Sequence, residues 1–249
     1  MRRSREQFIV SPKKSQQPKR PQEVITVAIL GENHGYRMKS YGPISLINLH
    51  GKTLLEKQIN TIKSAYQNYE IIICTGFETD KIGNYIREKY PLDDIRMVEN
   101  QIYLNSNCCE STRLCVNNTL NQRMLIMGGG IEIVPAHLEM LSVNQTSVVV
   151  QPQSSDSNFE VGCIIVDGNL SHLTYGVGGH FWTEMIFLHG RDTIDLFQRI
   201  VSDSDFKNKF LFEAINNLAE KREVSVVVNH EKRINKVDNL KSLRKSMKI

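Results

Sequence analysis

Short apolar runs of strand length alternate with amphipathic helical stretches from Val24 to about Pro135, and this alternation restricts the fold more than any other feature of the chain. "VITVAIL" precedes a helical pattern over residues 52–66. "YEIIICTG" precedes a second over residues 79–90, closed by Pro91. "IRMVEN" precedes a third over residues 110–118, and "RMLIMGGG" follows it. Strands apolar on both faces, joined by segments long enough to cross over as helices, pair in parallel with helices covering each side. The expected fold class is therefore α/β, a doubly wound, mostly parallel sheet. After Pro135 the runs "TSVVVQP", "EVGCIIVDG" and "LSHLTYGV" leave no room for crossover helices and predict appended antiparallel strands. Helices over residues 192–202 and 207–220, a strand "VSVVVN" and a basic terminal helix "NLKSLRKSMK" complete the pattern.

The formal charge of +4 hides an uneven distribution. Residues 1–22 hold seven basic side chains (Arg2, Arg3, Arg5, Lys13, Lys14, Lys19, Arg20) against Glu6, which leaves the rest of the chain at −2. With three prolines and few apolar residues, this stretch reads as a disordered basic tail, either without a partner or contacting nucleic acid, an acidic protein surface or an anionic membrane. Residues 23–249 read as one domain. No apolar run is long enough to span a membrane. Five cysteines, an odd set without CxxC spacing, predict free thiols in a reducing compartment, the cytoplasm.

In a doubly wound sheet, ligands sit beyond the carboxyl ends of the strands, so the loops after each strand are the places to look. The loop over residues 31–51 offers Gly31 and Gly35 for close backbone approach, Arg37 and Lys39 as phosphate-seeking cations, and a following helix whose start near Lys52 could face an anion. Lys52 reads more readily as a solvated first-turn residue. Asn107 and Ser111 either read a base or cap the helix they precede, and Asp238 is either a metal ligand or an N-cap. Trp182, in "GVGGHFWTE", reads as a core residue beside a glycine-rich turn. Ser-His-Asp and HExxH hydrolase signatures are absent.

"GYRMKSYGPISLINLHGKTLLEKQI" resembles the G-x-R-M, Pro-Lys, Gly-Lys-x-Leu-Leu-Glu opening of the nucleotidyltransferase family, which joins NTPs to phosphorylated sugars or phosphocholine. "EIIICTGFETDKIGNYI" resembles that family's second strand and turn. "VENQIYLNSNCCESTRLCV" and "INKVDNLKSL" are similar to elements of its choline-phosphate cytidylyltransferase branch, the latter to Glu-Ile-Asp-x-x-x-Asp-Leu. The resemblance implies nucleotide binding by the first loop, with Gly31, Gly35, Arg37, Lys52, Asn107 and Ser111 as candidates. It also implies a magnesium ion held by two carboxylates, of which Asp238 matches the later. Two positions depart from the pattern. Ile44 stands where the post-proline Lys is expected, and Gly130 where the first metal carboxylate is expected. Arg37 and Lys39 are the remaining candidates for catalysis, and Glu132 for a displaced metal ligand, so magnesium is expected to be held weakly or not at all. The expected function is that of a catalytically impaired nucleotide- or sugar-nucleotide-binding module. The alternatives are an active nucleotidyltransferase with relocated groups and a non-catalytic scaffold. Restoring both groups, with Ile44→Lys and Gly130→Asp, is expected to improve magnesium-dependent binding.

Overall fold

A computed structural model of the chain describes residues 24–33, 35–154 and 158–247. The basic tail lies outside these residues. The strands are β1 (Ile25–Leu30), β2 (Asn48–Leu49), β3 (Lys52–Thr53), β4 (Tyr69–Thr75), β5 (Ile95–Glu99), β6 (Arg123–Gly128), β7 (Ile131–Glu132), β8 (Ser147–Pro152), β9 (Val161–Val166), β10 (Asn169–Tyr175), β11 (His180–His189), β12 (Ser225–Val228) and β13 (Asn235–Lys236). The helices are α1 (Leu54–Ala65), α2 (Thr79–Lys89), α3 (Cys108–Val116), α4 (Pro135–Glu139), α5 (Arg191–Ser202), α6 (Leu211–Ala219) and α7 (Leu240–Ser246).

Nine strands form one sheet in the order β5-β4-β1-β6-β11-β8-β12-β10-β9. β5, β4, β1 and β6 are mutually parallel, as are β8 and β12, while β11 runs antiparallel between the two groups. β9 and β10 form an antiparallel pair at the edge. The expected fold class is the observed one. Parallel pairing needs both faces of the sheet covered, and every residue of β1 is buried accordingly. Ala28 and Leu30 face a core shared with α3, α5 and α6. Val27 and Ile29 face the other, which α1, α2 and α4 cover.

Helix α1 begins two residues later than the sequence pattern suggests, because Gly51 turns the chain (φ 87°) and the Thr53 hydroxyl caps the helix by accepting from the Glu56 amide at 3.0 Å. Lys52 therefore lies in the short strand β3 and not in a helical first turn. A third, smaller core of Met38, Ile44, Ile47, Leu49, Leu54, Val237 and Leu243 anchors the long first loop against the segment before α7. Ile44 is a member of that core, which gives its apolar character a structural cause.

The chain leaves β1 for β4 on one side and returns to β6 on the other, so the strand order reverses between β1 and β6. The carboxyl ends of these two strands open a crevice at this switch point.

Candidate functional site: a cleft at the ends of β1 and β6

A cleft of about 450 Å³ occupies the crevice. Leu30, Gly31 and Glu32 extend β1 into it, Gly128 to Gly130 extend β6, and Lys236 to Asp238 close the opposite wall. Main-chain bonds tie both segments to that wall, the first loop through Tyr36 N donating to Asp238 O at 2.8 Å and the extension of β6 through Gly130 O accepting from Val237 N at 2.8 Å. Two glycines make this approach. Gly35 has φ of 73°, and a Cβ there would lie 2.9 Å from Asp238 O; a Cβ on Gly130 would lie 2.7 Å from Val237 O.

The charged groups of the cleft come from distant segments. β11 carries an irregularity between Trp182 and Ile186 where it pairs with β8, and within it Glu184 takes a left-handed conformation (φ 61°). A bulge re-aims the side chain it carries, and here the Glu184 carboxylate lines the cleft. Its Oε1 lies 2.6 Å from Lys236 Nζ, and the same ammonium stands 3.4 Å from Asp238 Oδ2. Burial works against the Lys236 charge, but the Glu184 and Asp238 carboxylates outweigh it and hold the ammonium above the usual lysine range. The other oxygen of Asp238 accepts from Asn239 Nδ2 at 2.7 Å and from the Ser242 hydroxyl at 3.1 Å. Asp238 does not cap α7; Asn239 does, through the Ser242 amide at 2.9 Å.

Glu32 is the second unusual carboxyl. It is 3% exposed, and its Oε1 accepts from Asn33 Nδ2 at 3.3 Å, while Oε2 has no hydrogen-bond partner. Burial raises its pKa to about 7, opposed by its own backbone N–H and the Ser111 hydroxyl and assisted by the charge of Glu184. The rim is aromatic. Phe212 stacks on Phe210 with ring centroids 5.8 Å apart and meets Tyr175 edge-on at 5.3 Å. Trp182 is buried as a core residue, with Nε1 donating to Met185 O at 2.9 Å, and it also lines the cleft.

The structure brings Gly31, Gly35, Asn107 and Asp238 together at the cleft. Asn107 spends its Oδ1 capping α3 through the Cys108 amide at 2.9 Å. Ser111 is fully buried one layer behind, where its hydroxyl accepts from Asn100 Nδ2 at 3.0 Å. Arg37 is exposed beside the cleft, with φ of 56° and its guanidinium 4.9 Å from the Tyr36 ring centroid. Lys39, Lys52 and Glu132 do not line the cleft. Lys39 is exposed with its ammonium 6.0 Å from the Phe77 ring centroid, and Glu132 is held by α1 in an ion pair with Lys57 at 2.5 Å. Lys39 and Glu132, the expected stand-ins for the absent groups, thus lie outside the cleft that holds Asp238. Glu184, Lys236, Glu160 and the aromatic rim escaped the sequence reading. Lys236 left a signal, since the resembling element begins with Glu at that position; Glu184 left a weaker one, a lone charge in an apolar run.

The magnesium ion implied by the resemblance does not fit these residues. Gly130 offers no oxygen from a side chain, Asp238 faces an ammonium, and among the described residues no group of three His, Cys, Asp or Glu is arranged to hold a metal ion.

No protein-family model and no curated protein matches the chain. Solved structures do. Over 90% of this chain it superposes on 98% of a CTP:phosphocholine cytidylyltransferase from Streptococcus pneumoniae, with a TM-score of 0.76 and 17% identity. An inositol-1-phosphate CTP transferase from T. maritima matches at a TM-score of 0.72 and 13% identity, over 90% of this chain and 94% of that one. A UDP-glucose pyrophosphorylase complexed with UDP-glucose matches at 0.72 and 10%, over 90% and 97%. The chain has the nucleotidyltransferase fold. Among the described residues no helix is long and apolar enough to cross a membrane.

Proposed function

We propose that the chain is a nucleotide- or nucleotide-sugar-binding module that has lost nucleotidyl transfer. The observation that carries this reading is the Lys236 ammonium lodged between Glu184 and Asp238. Nucleotidyl transfer builds negative charge on the oxygens of the α-phosphate, and each preorganised cation or donor that meets such charge is typically worth about 10²–10³ in rate. Here the later metal carboxylate is already neutralised by an internal cation, Gly130 supplies no second carboxylate, and Ile44 is buried in an apolar cluster. Among the described residues, the cleft lining holds no second cation to meet the charge.

The cleft lining also bears four carboxyl groups, Glu32, Glu160, Glu184 and Asp238, against Lys236 alone. Such a surface disfavours a triphosphate, and it favours a nucleotide of lower charge with its phosphate toward the mouth, where Arg37 lies. The fold's other structures include one that holds UDP-glucose, a ligand of this kind.

Calorimetry with NTPs, nucleotide sugars and nucleoside monophosphates, with and without magnesium, tests the reading. The expected result is binding of the low-charge ligands that is unchanged by magnesium and weakened by Arg37→Ala. Pyrophosphate release from NTPs mixed with phosphocholine or sugar phosphates should stay at background. Robust magnesium-dependent release would overturn the proposal. Absence of binding by every nucleotide would leave the scaffold reading.

A further inference from the structure

Glu32 has a hydrogen-bonding deficit that the fold leaves open at the floor of the cleft. The residue lies two positions beyond the end of β1, its carbonyl accepts from Phe77 N at 2.9 Å, and its Cβ lies 3.1 Å from where a side chain on Gly76 would begin, so backbone and packing both fix it. The carboxyl is buried yet lines the cleft, and Oε2 has no partner. A buried polar atom without a partner is costly, and a ligand that supplies the missing partner recovers that cost. The partner cannot be a phosphate, which would set anion against carboxylate. It must be a hydrogen-bond donor, and the amino group of a base supplies one.

We propose that Glu32 selects the base of the bound nucleotide by accepting an N–H from its exocyclic amino group, as in cytosine or guanine, and disfavours uracil, which has a carbonyl at that position, and hypoxanthine, which has a C–H there. This rests on the proposed nucleotide-binding role and adds a specificity determinant to it. The geometry places no other carboxyl in the same position, since Glu184 is engaged by Lys236 across the cleft.

Ionisation sharpens the discrimination. With the Glu32 pKa near 7, both protonation states are populated at neutral pH. An amino edge is accepted by the ionised form, and a carbonyl edge needs the protonated form. Among the described residues, the charged groups that share the cleft with Glu32 are Glu184 on β11, whose charge acts on it, together with Glu160, Lys236 and Asp238. The thiols of Cys108 and Cys115 on α3 also face it, and burial keeps Cys108 neutral, while for Cys115 the hydrogen bond with Cys74 and burial do the same.

The test is calorimetry or ligand-observed NMR on the full chain with two matched pairs, CMP against UMP and GMP against IMP. Each pair carries the same phosphate, so its charge and ionisation cancel in the ratio. The expected result is a preference of roughly tenfold for the amino-bearing member at pH 8, the strength of a hydrogen bond to a charged group. The CMP-to-UMP ratio should shrink toward unity at pH 6. Glu32→Gln, whose amide can present either a donor or an acceptor, should reduce the preference to within about twofold at both pH values. Equal binding within each pair by the unmodified chain would overturn the inference while leaving the binding module intact. Retention of the full preference by Glu32→Gln would overturn it as well. If no member of either pair binds, the inference fails together with the proposed function.

Discussion

Lys236 and Glu32 are two residues whose chemistry is set by what surrounds them, and each yields a measurable consequence. Replacing Lys236 by Met removes the ammonium but keeps most of its volume, leaving Glu184 and Asp238 without a cation between them. Breaking a partly buried pair in this way should cost on the order of 2 kcal/mol. Millimolar magnesium should then raise the melting temperature of Lys236→Met by several degrees and leave that of the unmodified chain alone; an equal response of both would refute the role given to Lys236. Packing works against the improvement in magnesium-dependent binding expected of Ile44→Lys with Gly130→Asp, although both positions line the cleft. The lysine would enter the cluster of Met38, Ile47, Leu49 and Leu54, and the aspartate Cβ would press on Val237 O at 2.7 Å. For Glu32, a folded-state pKa of about 7 against an ordinary 4.5 means that the folded chain binds the additional proton. Its stabilising contribution is present at acid pH and is lost as pH rises from about 4.5 through 7, a difference on the order of 3 kcal/mol. Urea unfolding of Glu32→Gln should therefore show a gain over the unmodified chain that grows across this interval and levels off above it. A gap that does not change with pH would argue that Glu32 titrates normally.

At the scale of elements, the glycine turn between β6 and β7 keeps its shape through α1. Gln58 is fully buried, and its Nε2 donates to Gly128 O at 3.0 Å and to Ile131 O at 2.9 Å, spanning the turn from one end to the other. Three consecutive glycines have the greatest backbone entropy to lose on folding, so a turn built from them needs such an external clamp. Gln58→Ala removes both bonds and leaves a cavity, and a loss of roughly 2–4 kcal/mol is expected from urea titration. Nucleotide affinity should fall with it, because Gly128 to Gly130 form part of the cleft wall. A stability loss with affinity unchanged would show that the turn holds without Gln58. The bulge in β11 acts similarly on Glu184, which a regular strand would not hold in a left-handed conformation.

At the scale of the whole molecule, the core among the described residues starts at Ile25, which is 6% exposed and donates its amide to Asn68 O at 3.1 Å. Residues 1–22, which lie outside the described residues, carry six net positive charges and few apolar side chains, a composition from which little contribution to the core is expected. A chain beginning at Gln22 should melt within about a degree of the full-length protein and bind the same nucleotides. If the tail contacts nucleic acid, only the full-length chain should show salt-sensitive affinity for it. A large drop in melting temperature on truncation would mean that the tail packs on the domain.

Much of this architecture was legible in advance because its signals are local. The apolar runs at Ile25–Leu30 and Tyr69–Thr75, separated by a helical period, required a parallel sheet with two covered faces, and the loop after β1 followed from where such sheets open. The sequence alone also determined which side chains are missing, since Ile44 and Gly130 can be read at their positions without coordinates. What replaced them could not be read there. Lys236 reaches Glu184 because β13 pairs with β7, and Glu184 reaches the cleft because β11 bulges; neither pairing leaves a period in the sequence. Glu32 becomes a high-pKa acid through burial at the floor of the cleft beside Glu184. Periodicity acts over a few residues, whereas desolvation and ion pairing act over a few ångströms, and only the tertiary structure decides which residues share those ångströms.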